Sequence, residues 1–346
     1  MPTPDLNTTQ VSVVTGASGF VGGALVRRLL ALGDEVRAIV LPNDPLAREL
    51  YEIDAPGRLR IVTGDVTDTA SIAPAFESAD RVFHTAALVH AWAPLDRFQR
   101  VNVGGTRNVA EVALAAGVTR LVAISTSDVF GLPRGDEVFD ESSPRRRWNE
   151  PYADSKIEAE QWLWRLHRDS VMPLSIIYPG WVYGPGDRAF FPGLADAIAS
   201  RTMLFWYRGA RLPFVYIDNL VDACLLAASS PRALGRGFII YDSNDLTMED
   251  LCARIATAIG ARRPRLHVSY GLAHAAASLM QTTWRLLRRP TPPPLMTVDV
   301  KAFGKQWFFS NARARQELGW EPKVSFEDGL ALAIEDLVRR RSAPRT

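Results

Sequence analysis

The chain has 346 residues, enough for one large domain or two intimate ones around a sizeable core. Hydrophobic residues make up 47% and charged residues 23%, the balance of a soluble globular protein rather than a disordered chain. The net charge of +2 argues against nucleic acid or another polyanion as partner. The opening stretch MPTPDLNTTQ lacks the basic-then-apolar pattern of a secretory leader, and no run reaches spanning length, so a cytoplasmic location is expected. Cys224 and Cys252 lie in apolar helical patterns outside any metal-ligand spacing, so reduced core cysteines and no metal are expected.

The β-branched run VSVVT (Val11 to Thr15) predicts a buried strand. Gly16-Ala17-Ser18-Gly19-Phe20-Val21-Gly22 follows, with a glycine at every third position. Val21, Ala24, Leu25, Leu29 and Leu32 then share one face of a helix. Strand, glycine turn and helix together form a dinucleotide fingerprint. The first glycine makes the turn, the next admits a pyrophosphate to the helix N-terminus, and the third lets helix and strand pack closely. Gly16, Ser18, Gly19, Phe20, Val21 and Gly22 are therefore candidate cofactor residues.

Glu35 to Leu41 predicts a second strand. It ends in Leu41-Pro42-Asn43, with neither the acid expected for NAD nor the arginine expected for NADP, so both cofactors stay open. Leu59 to Val62 predicts a third strand. Beyond it, Asp65, with Val66 beside it, is assigned to the cofactor and Asp68 to a helix N-cap. Arg81 to Phe83 begins a fourth strand. The small Ala86 and Ala87 after it would let a flat cofactor lie against the backbone, and His84 is expected to be a satisfied structural histidine. His90 and Trp92 fall on a loop beside the expected site. Val101 to Thr106 opens a helix running to about Ala116, and Arg120 to Ile124 predicts a fifth strand. This alternation implies an α/β fold, a doubly wound parallel Rossmann sheet, with ligands at the strand carboxyl ends. Ser125-Thr126-Ser127-Asp128-Val129-Phe130-Gly131 is thus placed at the crevice.

Arg145-Arg146-Arg147 is expected to be a solvated face. Tyr152 and Lys156, four residues apart, share one helix face. An unperturbed phenol, with a pKa near ~10, is a poor base at neutral pH; an ammonium one turn away would favour the phenolate. A hydroxyl from Thr126 or Ser127 would hold the substrate oxygen beside Tyr152.

GASGFVG, STSDVFG and YADSK, in this order and at these separations, resemble an extended (atypical) short-chain dehydrogenase/reductase of the NAD-dependent epimerase/dehydratase superfamily over almost the whole chain. The resemblance implies Tyr152 as acid/base, Lys156 as its partner and Thr126 as the family's hydroxyl residue, with Ser127 next to it. It implies NAD or NADP as cofactor, with Pro179 and Val182 beside the nicotinamide. It also implies a core over 1–178, with 214–242 returning to it, and a smaller discontinuous substrate lobe over 179–213 and 243–346. A homodimer through two core helices is a further implication. Leu174 to Tyr178 predicts a sixth strand. Phe214 to Asn219, which opens the helix Leu220 to Ala228, is assigned a structural role.

Two substrate classes compete. Asp128 is similar to the acids of sugar-nucleotide dehydratases, and Arg208 and Arg211 would suit a diphosphate. The aromatic segment Met203 to Tyr207 and the long insertion between Gly271 and Phe309 resemble the 3β-hydroxysteroid dehydrogenase branch and an apolar substrate. Trp92, Asp128, Trp181, Trp206 and Arg208 are the candidate substrate residues. The expected activity interconverts a secondary alcohol and a ketone on a small, largely apolar molecule. The alternatives are a nucleotide-sugar epimerase/dehydratase and a non-catalytic dinucleotide-sensing scaffold. The apolar helix GLAHAAASLMQTTWRLL, flanked by arginines, would pack into the substrate lobe or lie on a membrane surface. The last helix, Phe326 to Val338, ends in Arg339-Arg340-Arg341, cations suited to a helix C-terminus.

Overall fold

The computed structural model describes residues 9–89, 92–242 and 246–342. Its strands are β1 (Val11–Thr15), β2 (Glu35–Val40), β3 (Leu59–Thr63), β4 (Arg81–His84), β5 (Arg120–Ile124), β6 (Val138–Phe139), β7 (Leu174–Pro179), β8 (Trp181–Tyr183), β9 (Phe214–Tyr216), β10 (Arg236–Ile240) and β11 (Phe308–Phe309). Seven of them form one parallel sheet in the order β10-β7-β5-β4-β1-β2-β3. The central strands β5 and β7 are buried at every residue, which is why they read as continuous apolar runs rather than alternating ones. The six strands expected from the sequence are present. β10 is the seventh: it joins the edge beside β7 over Arg236–Ile240.

The strand order reverses between β1 and β4, and the crevice of a doubly wound sheet opens at such a reversal. The turn after β1 faces it. Gly16 has a left-handed φ of +65°, and a β-carbon at Gly22 would lie 2.2 Å from the Gly16 carbonyl oxygen. The helix Phe20–Ala31 can therefore lie against β1 only with glycine at position 22.

β8 pairs with β9, and β6 pairs with β11. The latter pair closes an aromatic cluster in which Phe139 and Phe309 lie 5.4 Å apart beside Phe130 and Tyr178. Arg145 enters this cluster, so the arginine run is not uniformly solvated. Its guanidinium stands 4.6 Å over the Phe130 ring, pairs with Glu160 at 2.8 Å and donates to the Tyr178 hydroxyl at 2.7 Å. Arg146 pairs with Glu137 at 2.6 Å, while Arg147 reaches Glu158 only at 3.4 Å from an exposed position. Three like charges in a row conceal three different environments because the loop's path, not its composition, turns Arg145 inward.

The C-terminal helix runs over Phe326–Ser342, longer than its apolar pattern indicates. Its arginines do more than suit a helix end. Arg339 and Arg340 pair with Asp336, whose carboxylate also accepts the Gly186 N–H at 2.8 Å, and Arg341 pairs with Asp196 at 2.5 Å. Cys224 and Cys252 are buried and free. Asn219 at the β9-to-helix junction accepts from Lys323 and Val324 N–H groups at 3.0 Å each, a structural tie to the C-terminal segment.

Candidate active site

A cleft of about 830 Å³ runs along the carboxyl ends of the strands, from the glycine turn to the start of the helix Pro151–Ser170. The helix Phe20–Ala31 begins at this cleft with no side-chain cap and no acidic residue in its first turn. Its free N–H groups and positive end suit an anion. Gly16, Ser18, Gly19, Phe20, Val21 and Gly22 all line the cleft, as do Asp65, Val66, Ala86, Ala87, Pro179 and Val182. The Ser125 hydroxyl is buried at the same wall without a hydrogen-bond partner. A glycine turn, an uncapped helix and an orphaned hydroxyl along one elongated cleft fit a dinucleotide.

The two acids after β3 divide as expected in one respect. Asp68 caps the helix Thr69–Ile72 by accepting from the Ala70 N–H at 3.1 Å. One Asp65 oxygen accepts from the Thr67 N–H at 2.8 Å, which holds the carboxylate at the cleft wall. His84 bridges Thr15 and Thr106 at 2.8 and 2.9 Å; burial, reinforced by Lys156, pushes its pKa down to about 3. A neutral, doubly bonded imidazole of this kind is a structural tie between β4 and the Gly105–Ala115 helix.

Tyr152 and Lys156 project from the first turns of the Pro151–Ser170 helix. Pro151 opens this helix, and the Glu150 carboxylate caps it by accepting from the Ala153 N–H at 2.6 Å. Both side chains are buried at the cleft. Lys156 donates to the Ile124 carbonyl at 2.6 Å, and burial lowers its pKa to about 8. The Tyr152 phenol is held well above its ordinary value by burial and by the charges of Asp128 and Glu150; the Thr126 hydroxyl, hydrogen-bonded to it, acts the other way. Burial and the two carboxylates dominate the phenol here, while the lysine ammonium is directed at the Ile124 carbonyl.

Thr126 starts the turn Ser127–Phe130, accepting from the Asp128 N–H at 3.2 Å. Its hydroxyl also bonds the Asp128 carboxyl, whose pKa burial raises to about 6. Thr126, Asp128 and Tyr152 thus form one connected polar group in the cleft, with Ser127 beside it.

Trp181 lines the cleft, 5.0 Å from the Phe190 ring and 5.3 Å from Phe303. Trp206 lies outside the lining, 6.3 Å from Phe303, with its indole donating to the Val300 carbonyl at 2.9 Å. Trp92 is also outside, donating to the Arg289 carbonyl at 3.1 Å. Arg208 is exposed and is not among the residues that line the cleft. His90 falls outside the described residues. Among the described residues no cluster of metal-ligand type occurs.

Three residues not singled out by sequence reasoning organise the site. Asn102 bonds both backbone groups of Leu88, at 2.7 and 3.1 Å, and the Ser155 hydroxyl at 2.9 Å; Ser155 in turn donates to the Tyr152 carbonyl at 2.7 Å. One buried amide therefore ties the Leu88 segment of the cleft to the Pro151–Ser170 helix. Its signal is an asparagine within an apolar helical stretch. Asp44 accepts from the Ser18 hydroxyl at 2.5 Å and lines the cleft beside Leu41. Trp148 donates from its indole to the Asp128 carbonyl at 3.2 Å and accepts from Lys301 at 3.3 Å.

Residues 12–240 match the family model described as NAD dependent epimerase/dehydratase family. The chain is 31% identical over 331 residues to a 2-alkyl-3-oxoalkanoate reductase of Stenotrophomonas maltophilia, covering 92% of this chain and 96% of that one. It is 31% identical over 337 residues to a 3-beta-hydroxysteroid dehydrogenase of Mycolicibacterium neoaurum, covering 92% and 89%. Among solved structures, it is similar to DesIV, a dTDP-glucose 4,6-dehydratase from Streptomyces venezuelae with NAD and TYD bound, with a TM-score of 0.78 at 26% identity over 96% of this chain and 98% of that one. With its glycine turn, its Tyr152/Lys156 helix and a family match over most of its length, the chain belongs to the NAD dependent epimerase/dehydratase family, as an extended short-chain dehydrogenase/reductase with a nicotinamide dinucleotide as cofactor.

Proposed function

We propose that the protein interconverts a secondary alcohol and a ketone on a largely apolar substrate, with Tyr152 as the acid/base. The observation that carries this reading is the wall opposite Tyr152. Trp181 and Phe190 line the cleft and continue through Phe303 toward Trp206, while Arg208 is exposed and absent from its lining. Such a wall favours an apolar body and offers a diphosphate little. The similarity to a hydroxysteroid dehydrogenase and an oxoalkanoate reductase supports the same class.

In the oxidative direction the substrate hydroxyl is held by Thr126 and gives its proton to Tyr152 as the phenolate, the form that the Lys156 ammonium and the positive charge of a bound oxidised nicotinamide would favour against burial. Lys156 fixes the helix against Ile124 and keeps a cation near the ribose position. When bound, the oxidised nicotinamide supplies the hydride acceptor and a positive charge near the phenol. Asp128 lies within the same polar group and contacts the substrate's polar end.

A second reading, a nucleotide-sugar epimerase or dehydratase, is favoured by Arg97 and Arg100 on the cleft wall and by the similarity to DesIV. A substrate panel separates them. Purified protein is given NAD(H) or NADP(H) with 3β-hydroxysteroids, 2-alkyl-3-oxoalkanoates and dTDP- or UDP-sugars; net oxidation or reduction is followed by nicotinamide absorbance, and sugar products are followed by chromatography because epimerisation and dehydration leave no net reduced cofactor. Turnover confined to the first two groups is expected. Turnover of a nucleotide sugar alone overturns the apolar reading. Tight dinucleotide binding without turnover of any compound supports a sensing scaffold instead.

A further inference from the structure

The helix Tyr270–Leu286 is weakly integrated into the lobe. Only Ala273 and Ala277 are buried along it, against Val300, Trp206 and Leu295. Leu272, Leu279 and Leu286 recur every seven residues on another face, and they are 61%, 70% and 78% exposed. Leu287 and, ahead of the helix, Leu266 extend the exposed apolar stripe. Leucines placed in this way gain nothing from the fold that holds them.

The charge around the stripe is one-sided. Residues 251–298 contain seven arginines and no aspartate or glutamate, while the rest of the chain is net acidic. Arg254 pairs with Glu327. Among the described residues Arg262, Arg263, Arg265, Arg285, Arg288 and Arg289 have no carboxylate partner, and all six are exposed. They stand in two groups, one before the helix and one at its end. No described helix is long and apolar enough to cross a membrane.

We infer that this helix docks the protein on an anionic lipid surface. The leucine stripe enters the headgroup–acyl boundary and the two arginine groups engage lipid phosphates. An apolar stripe flanked by two groups of unpaired cations matches that surface. A protein partner would have to supply acidic groups at both ends of an apolar groove, and a second copy of this patch would bring arginines against arginines. The placement also joins the surface to the site. The inner face of the helix packs on Trp206, which leads through Phe303 to Trp181 on the cleft wall. The second arginine group touches the loop beside the cleft, where Arg285 stands 5.5 Å over the Trp92 ring.

The test is vesicle flotation of the full chain at low and high salt. Vesicles of phosphatidylcholine with phosphatidylglycerol are compared with phosphatidylcholine alone. Flotation with the anionic vesicles, weakened by salt, is expected. The double variant L279E/L286E should reduce it about tenfold or more while leaving melting temperature and dinucleotide binding unchanged, because both side chains are exposed and remote from the cleft. Reversal of all six unpaired arginines in groups of three should weaken binding to the anionic vesicles only. No flotation at low salt, or equal flotation of L279E/L286E, overturns the proposal. Concentration-dependent dimerisation abolished by L279E/L286E, with no vesicle binding, assigns the stripe to a second copy and also overturns it. None of these outcomes depends on turnover, so the substrate reading is tested separately.

Discussion

The glycine end of the cleft and the lobe outside it are built in opposite ways. At the glycine end, position 22 has no room for a β-carbon, Asn102 uses its amide on three partners, and His84 is bonded on both ring nitrogens. At the lobe end, the Tyr270–Leu286 helix buries two alanines and exposes three leucines. The cofactor end must hold a fixed geometry over an anion and a reacting ring, which requires satisfied polar groups and close packing. The Tyr270–Leu286 helix lines none of the cleft and meets no such demand, so it tolerates loose packing.

That contrast is open to attack by mutation, beginning at the rigid end. Tyr152→Phe should lower turnover by about 10²–10⁴-fold while leaving dinucleotide affinity intact. Titration of dinucleotide alongside steady-state rates checks this, and near-wild-type turnover with the correct substrate would remove Tyr152 as acid/base. Asn102→Ala should cost about 2–3 kcal/mol of stability, since it orphans the Leu88 backbone groups and the Ser155 hydroxyl together. Denaturant unfolding measures that loss, and the KM for dinucleotide should rise more than the KM for substrate.

Asp128→Asn links activity and stability. The folded pKa of Asp128, about 6, lies above its ordinary 3.8 because of burial. The folded state therefore holds the proton more tightly, and stability falls as pH rises from about 3.8 to about 6. Above that window the buried charge is a standing penalty. Asn should raise stability at neutral pH by about 1–3 kcal/mol, and by less below pH 4. It should also ease formation of the Tyr152 phenolate and move the tyrosine-dependent limb of the pH–rate profile to lower pH. The basic limb, set by Lys156 near 8, should remain. A variant no more stable than wild type at pH 7 would mean that water screens the carboxylate. The smallest effect is expected at the loose end. Arg208→Ala should change stability by less than about 0.5 kcal/mol and leave the KM for an apolar substrate unaltered. A large rise in that KM would bring the arginine into the site and revive the diphosphate reading.

Much of this architecture is legible in the residue order. The strands of the sheet's centre are continuous apolar runs, and the glycine spacing and the Tyr152–Lys156 interval are local patterns that local geometry obeys. β10 is less legible because a five-residue run with a glycine at its second position carries little periodic signal. Asn102 and Trp148 are less legible for another reason: their partners are distant in sequence. The direction of the tyrosine shift is likewise non-local. An interval of four places an ammonium near the phenol, but burial and the charges of Asp128 and Glu150 decide which way the phenol moves.

The sequence by itself determined that a dinucleotide turn opens the chain, that a parallel sheet follows, and that a phenol and an amine share one helical turn. Backbone conformation and side-chain period depend on near neighbours, so those features need no knowledge of the rest of the fold. Only the tertiary structure decided that Arg145 turns inward while Arg147 is solvated, that Arg208 lies outside the cleft lining, and that the leucines of the Tyr270–Leu286 helix face outward. Burial is a property of what packs opposite a residue, and that partner is set by chain topology rather than by the residue's own type.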